Sequence, residues 1–208
     1  MKWWGVLFND LFKCVTWTYF RTRHALKVEG RHHCPRSGGL LVVANHVSLL
    51  DPPLLGSALP RPLVYTPRAT LKKSLIYRVL TAPLDLEHVE RDGRDIGATR
   101  RLVERLRSGD AVALFPEQTR SGDGCLNPLT PGFALLAGLA GVPVLPVVID
   151  GAFEAWPRGQ KRPRGGMPIT VRVGAPLSAD GSDRKEMVAR VQRAFRELGA
   201  RERAPGGG

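Results

Sequence analysis

Three runs of this chain hold almost nothing but apolar residues: LLVVA at 40–44, AVALFP at 111–116 and VPVLPVVI at 142–149. Each is too short to span a membrane and too uniformly apolar for a strand with one wet face. They fit strands covered on both sides, as in a mostly parallel sheet. The longer stretch FALLAGLAGVPVLPVVI at 133–149 is interrupted by Gly138, Gly141, Pro143 and Pro146, so it predicts a short helix, a turn and a strand.

Helical periodicity fills the intervals. The segment 95–110 puts Ile96, Thr99, Leu102, Val103 and Leu106 on one face and ends at Gly109. Segment 183–198 does the same with Met187, Val188, Val191, Phe195 and Leu198, and segment 71–80 with Leu71, Leu75, Ile76 and Val79. Pro52 and Pro53 suit the first turn of a helix running through LLGSAL. Shorter strands are predicted at 26–30, 63–67, 85–90 and 169–174. The expectation is a single α/β domain over 25–200, with a mixed, mostly parallel sheet flanked by helices, and a disordered tail at 201–208.

Residues 1–24 are a separate problem. Asn9, Asp10 and Lys13 interrupt the segment, which argues against a membrane span, and no small-residue cleavage site marks a secretory signal. On a helix, Trp4, Leu7, Phe8, Leu11, Phe12 and Val15 share a stripe, while Trp3 and Trp17 lie off it. Tryptophans flanked by Lys2, Arg21 and Arg23 suit the surface of a bilayer. An amphipathic membrane-associating helix is expected here, against the plainer alternative of a helix that covers the core.

Lys and Arg number 31 against 19 Asp and Glu, a net charge of +12, which favours anionic partners. With 43% hydrophobic residues and buried strands, a nucleic-acid-binding arm is not expected. Cys14, Cys34 and Cys125 form no CxxC pair, so reduced thiols are expected rather than a disulfide framework or zinc site. No His, Cys and carboxylate cluster has ligand spacing, so no metal is expected.

Two polar motifs follow two of the apolar strands. In NHVSLLD, His46 and Asp51 are separated by four residues. A carboxylate on one imidazole nitrogen can fix the tautomer while the other nitrogen takes a proton. Taken alone, the pair reads more readily as a capping aspartate beside a satisfied histidine. In FPEQTRS, Arg120 offers planar donors that match a phosphate, and Glu117 could accept hydroxyls or hold a basic neighbour. A surface ion pair is the alternative. Ligands bind beyond the carboxyl ends of strands in such sheets, so the two motifs are expected to share one site.

Together, VEGRHHCPRSGGLLVVANHVSLLDP, LEHVERDG, FPEQTRS and GVPVLPVVIDG resemble the four ordered blocks of the 1-acylglycerol-3-phosphate acyltransferase family. The resemblance implies acyl transfer from acyl-CoA or an acyl carrier protein to the free hydroxyl of a lysophospholipid, with no covalent enzyme intermediate and no cofactor. It implies His46 as general base held by Asp51, and Arg91, Thr119 and Arg120 as substrate-binding residues with Glu117 beside the acceptor phosphate. Asn45 and Ser48 would serve the oxyanion or support the base, and the turn around His46 would offer backbone N–H groups. The implied partners are the two substrates and an anionic membrane surface, with an acyl carrier protein as a further donor. The implied location is the cytoplasmic face of a membrane, peripheral or monotopic.

Two positions depart from the family pattern. Gln118 stands where the family has glycine, and Thr130-Pro131 stands where it carries a lysine; both bear on the acceptor, for which 1-acylglycerol-3-phosphate is expected and another lysophospholipid or the lyso form of an amino-acid lipid is the alternative. A thioesterase or lipid hydrolase and a non-catalytic lipid-binding module are the competing classes. Ser48 lies near His46, but the chain has no Gly-x-Ser-x-Gly nucleophile elbow.

Overall fold

In the computed structural model, which describes residues 3–66, 85–86, 96–179 and 183–203, the LLVVA run becomes a strand buried along its whole length. In chain order the described elements are α1 (Trp3–His24), β1 (Lys27–Glu29), a 3-10 turn (Arg31–His33), β2 (Leu40–Ala44), α2 (Asp51–Ala58), β3 (Val64–Tyr65) and β4 (Asp85–Leu86). They continue with α3 (Ile96–Arg107), β5 (Ala111–Leu114), α4 (Gly132–Ala140), β6 (Val144–Asp150), α5 (Ala152–Ala155), β7 (Thr170–Val173) and α6 (Arg184–Glu197). The helix predicted at 71–80 and most of the strand predicted at 85–90 lie outside the described residues.

The described strands form one seven-stranded sheet in the order β1-β7-β6-β2-β5-β3-β4. Only β6 and β7 pair antiparallel; every other pairing is parallel. The three apolar runs occupy its centre, as β6, β2 and β5. Side chains alternate across β2: Leu40, Val42 and Ala44 enter one core, Leu41 and Val43 the other. The first core lies under α1 and α2 and holds Phe20, Leu54 and Leu55; the second lies under α3, α4 and α6 and holds Leu106, Phe133 and Phe195. Burying each such side chain contributes about 1.5–3 kcal/mol, which is why a strand with no polar face is stable only here. Pro146 is tolerated in β6 because its carbonyl, and hence its missing donor, faces Gly174, just past the last β7 pairing at Val173.

Three expectations are adjusted. Ile96 is 83% exposed, and Ala98 takes the inward place in the first turn of α3, since the stripe that faces the sheet is Ala98, Leu102 and Leu106. On α1, the off-stripe Trp17 packs against the core with Phe20, whereas Leu11 and Val15 of the stripe are 60% and 59% exposed. Residues 201–203, assigned to a disordered tail, are placed by ion pairs from Arg201 to Asp150 and Glu154 and from Arg203 to Asp123. Among the described residues, no helix is long and apolar enough to cross a membrane.

Candidate active site

Parallel pairing of β2 with β5 sets Leu40 level with Ala111 and Val43 level with Leu114. Carried past the strand ends, the same register brings His46 level with Glu117. The two motifs meet there: His46 N–H donates to Glu117 Oε1 at 2.7 Å, and Ser121 N–H donates to His46 O at 2.7 Å. The FPEQTRS loop therefore grips the His46 peptide at both its polar groups.

The imidazole is fixed as firmly. Its Nδ1 lies 2.7 Å from Asp51 Oδ2, and the ring stacks on Phe115 with centroids 4.2 Å apart and planes 19° apart. A carboxylate only accepts, so Nδ1 carries the proton and Nε2 presents a lone pair. Asp51 sits in the first turn of α2, where the helix dipole favours its negative charge. The same Oδ2 accepts the N–H groups of Val47 and Ser48, both at 2.8 Å. Pro52 and Pro53 start the helix without wasting donors, and Tyr65 Oη–H donates to Pro52 O at 2.8 Å.

Other expected residues take different places. Asn45 spans to β6, donating to Ile149 O at 3.0 Å and accepting Ile149 N–H at 2.7 Å. Ser48 Oγ–H donates to Trp156 O at 2.9 Å, and Ser121 Oγ–H has Asp123 and Cys125 O as acceptors. Neither hydroxyl proton faces His46. The N–H groups of His46, Val47 and Ser48 are already taken by Glu117 and Asp51, so this turn does not offer them to an oxyanion. Both oxygens of Glu117 brace backbone, the second accepting Asn127 N–H at 2.8 Å. Burial pushes Glu117 up to about 7, against the pull of the Asn127 and His46 N–H groups, and the Asp51 charge adds to the rise.

Arg120, half-buried, has no hydrogen bond or ion pair among the described residues. Burial holds its guanidinium below the usual value, the Arg158 charge lowers it further, and Asp51 opposes both. A desolvated cation near a second cation is a place for an anion. Thr119 is exposed, its N–H donating to Glu117 O at 2.7 Å in the turn before Arg120. Gln118 has φ 60, the left-handed region that glycine adopts freely, which accounts for the glycine of the family block at this position. Thr130, at the other departure, bonds Pro116 O through both its N–H and its hydroxyl. Arg91 lies outside the described residues. No group of three or more His, Cys, Asp or Glu is placed to hold a metal ion among the described residues. Sequence reasoning missed Phe115, Ser121 and Asn127; only Phe115 left a signal, as the aromatic directly after β5.

The mostly parallel sheet thus carries a histidine–aspartate pair beyond its strand ends, with the nearby serine hydroxyls bonded elsewhere. The acyltransferase family model matches residues 25–150, and the chain belongs to that family. It is 29% identical over 161 residues to a 1-acyl-sn-glycerol-3-phosphate acyltransferase of Limnanthes alba, covering 74% of the chain and 55% of that protein. It is 30% identical over 163 residues to the mouse 1-acyl-sn-glycerol-3-phosphate acyltransferase alpha, covering 75% and 56%. The chain thus spans little more than half the length of these relatives. The crystal structure of the 1-acyl-sn-glycerophosphate (LPA) acyltransferase from Thermotoga maritima superposes with a TM-score of 0.77 at 26% identity, covering 93% of this chain and 78% of that one.

Proposed function

We propose that this protein transfers a fatty acyl group from an acyl thioester to the free hydroxyl of a lysophospholipid, with 1-acylglycerol-3-phosphate as acceptor and phosphatidic acid as product. The observation that carries the reading is the His46–Asp51 pair at 2.7 Å, with Nε2 left as acceptor and Ser48 turned to Trp156. A base oriented in this way, with no serine to activate, works on a proton that arrives with the substrate. The names of the relatives support the acceptor class.

His46 Nε2 takes the acceptor hydroxyl proton as that oxygen bonds to the thioester carbonyl carbon. The tetrahedral adduct collapses with cleavage of the carbon–sulfur bond. The imidazolium proton passes to the thiolate, leaving an ester and a free thiol. Asp51 holds the ring and offsets the positive charge that develops on it. Arg120 binds the acceptor phosphate, and Arg91 joins it on the strength of the family resemblance. The donor is acyl-CoA or an acyl carrier protein, and neither demands a cofactor.

The same proposal puts the protein on the cytoplasmic face of a membrane, where such acceptors reside. Exposed Leu11, Val15 and Tyr19 on α1, with Arg21 and Arg23 in its last turn, support contact with an anionic surface.

The test is thiol release from palmitoyl-CoA with and without a panel of lysophospholipids, beside His46→Ala. Acceptor-dependent release that disappears in the variant is expected. Release without acceptor would make the protein a thioesterase; no release from palmitoyl-CoA, nor from palmitoyl-acyl carrier protein tried in its place, would leave a lipid-binding module.

A further inference from the structure

The segment after α6 is tied to the loop that grips His46. Arg203 Nε donates to Asp123 Oδ2 at 2.7 Å, and its Nη2 donates to Asp123 Oδ1 at 3.2 Å and Asn127 Oδ1 at 3.0 Å. Two residues earlier, Arg201 O accepts the N–H of Leu126 at 2.7 Å, and its guanidinium pairs with Glu154 and Asp150. Residues 123–127 are therefore strapped from outside by 201–203.

From that loop two contacts run inward. Asp123 Oδ1 accepts Ser121 Oγ–H at 2.8 Å and Cys125 N–H at 3.0 Å, and Ser121 N–H donates to His46 O at 2.7 Å. Asn127, whose side chain Arg203 holds, donates its N–H to Glu117 Oε2 at 2.8 Å, while Glu117 Oε1 accepts His46 N–H at 2.7 Å. Both routes start at Arg203 and end on the two polar backbone groups of His46.

We propose that Arg203, acting through Asp123 and Asn127, is a positioning residue that sets the His46 peptide and hence the direction of its Nε2. Its kinetic consequence rests on the acyltransfer reading; its structural consequence does not. Exposed ion pairs contribute little to global stability, so the effect is local order at the loop rather than folding. Misplacing a base by a fraction of an ångström is enough to slow a reaction about tenfold.

The experiment compares wild type, Arg203→Ala, Arg203→Lys, Asp123→Ala and the Arg203→Ala/Asp123→Ala double variant. Backbone amide exchange at His46 and Ser121 is read against Val171 in β7, which takes part in none of the bonds from Arg203 to His46, together with kcat and KM for acyl transfer. Expected are faster exchange at His46 and Ser121 but not at Val171, and a roughly tenfold lower kcat with nearly unchanged KM. Lysine should restore part of both losses, and the double variant should be no worse than either single one. Unchanged exchange at His46 and Ser121 in Arg203→Ala would overturn the proposal, as would faster exchange with unchanged kcat. If wild type transfers no acyl group to any acceptor, the functional reading fails, while the exchange measurements still decide whether the strap orders His46.

Discussion

Glu117 accepts the backbone N–H of His46 at 2.7 Å from a position only 5% exposed. A carboxylate is used there as a brace, at the cost of its hydration. Burial pushes Glu117 up to about 7, from an ordinary value of 4.5. Between those values the unfolded chain has released the proton and the folded chain retains it, so ionisation opposes folding. The stability from this group is complete below the unfolded value and is lost as pH rises through the folded one. Glu117→Gln does not titrate. The stability of wild type relative to Glu117→Gln should fall by about 1–3 kcal/mol between about pH 4.5 and about pH 7.5, then level off. Urea unfolding across that range measures it; a difference independent of pH would mean that Glu117 is ionised throughout.

Asp51 concentrates three donors on one oxygen: the His46 imidazole and the N–H groups of Val47 and Ser48. Asp51→Asn keeps the shape but allows an amide N–H to face donors, and it removes the charge that offsets imidazolium. The expected loss in kcat is roughly 10²- to 10⁴-fold, with acceptor KM little changed. Circular dichroism would check that the fold survives. A loss under about tenfold would mean that the Asp51 charge does not support His46 during transfer.

The framework of the fold was legible because an apolar run of five to eight residues has few places to go. LLVVA, AVALFP and VPVLPVVI all became central strands, and the residues that follow two of them formed one site. What the site does internally was less legible. The sequence displays Glu117 as a carboxylate but not its donors, which are backbone groups of His46 and Asn127 and leave no trace in side-chain identity. Asn45 and Ser48 are visible as neighbours of His46, but the groups that hold them, the Ile149 backbone of β6 and the Trp156 carbonyl, are not readable from side-chain identity. Arg203 was hidden by distance along the chain, 80 residues from Asp123 and 76 from Asn127, with no periodicity to connect them.

Gln118 adopts φ 60 in the loop between Glu117 and Arg120. A side chain in that region carries strain that glycine avoids. Gln118→Gly should therefore raise stability by about 0.5–1 kcal/mol, the strain relief outweighing the entropy glycine adds to the unfolded chain. Thermal unfolding reads the sign. A drop in stability would show that contacts of the Gln118 side chain outweigh the strain, and a change in acceptor preference would then connect this departure from the family pattern to specificity.

The membrane contact of α1 cannot be tested cleanly by deleting the helix, because Phe20 is buried in the core and Trp17 packs against it. Leu11 and Val15 are free of that role, being 60% and 59% exposed on the opposite stripe. Leu11→Asp/Val15→Asp should leave the fold intact and weaken binding to anionic vesicles. Burying an aliphatic side chain contributes about 1.5–3 kcal/mol, so losing two should lower partitioning roughly 10²-fold or more. Co-sedimentation with phosphatidylglycerol vesicles measures it, with phosphatidylcholine vesicles separating the charge contribution of Arg21 and Arg23. Sedimentation equal to wild type would mean that this stripe does not enter the bilayer surface, and the exposed leucine and valine would need another partner.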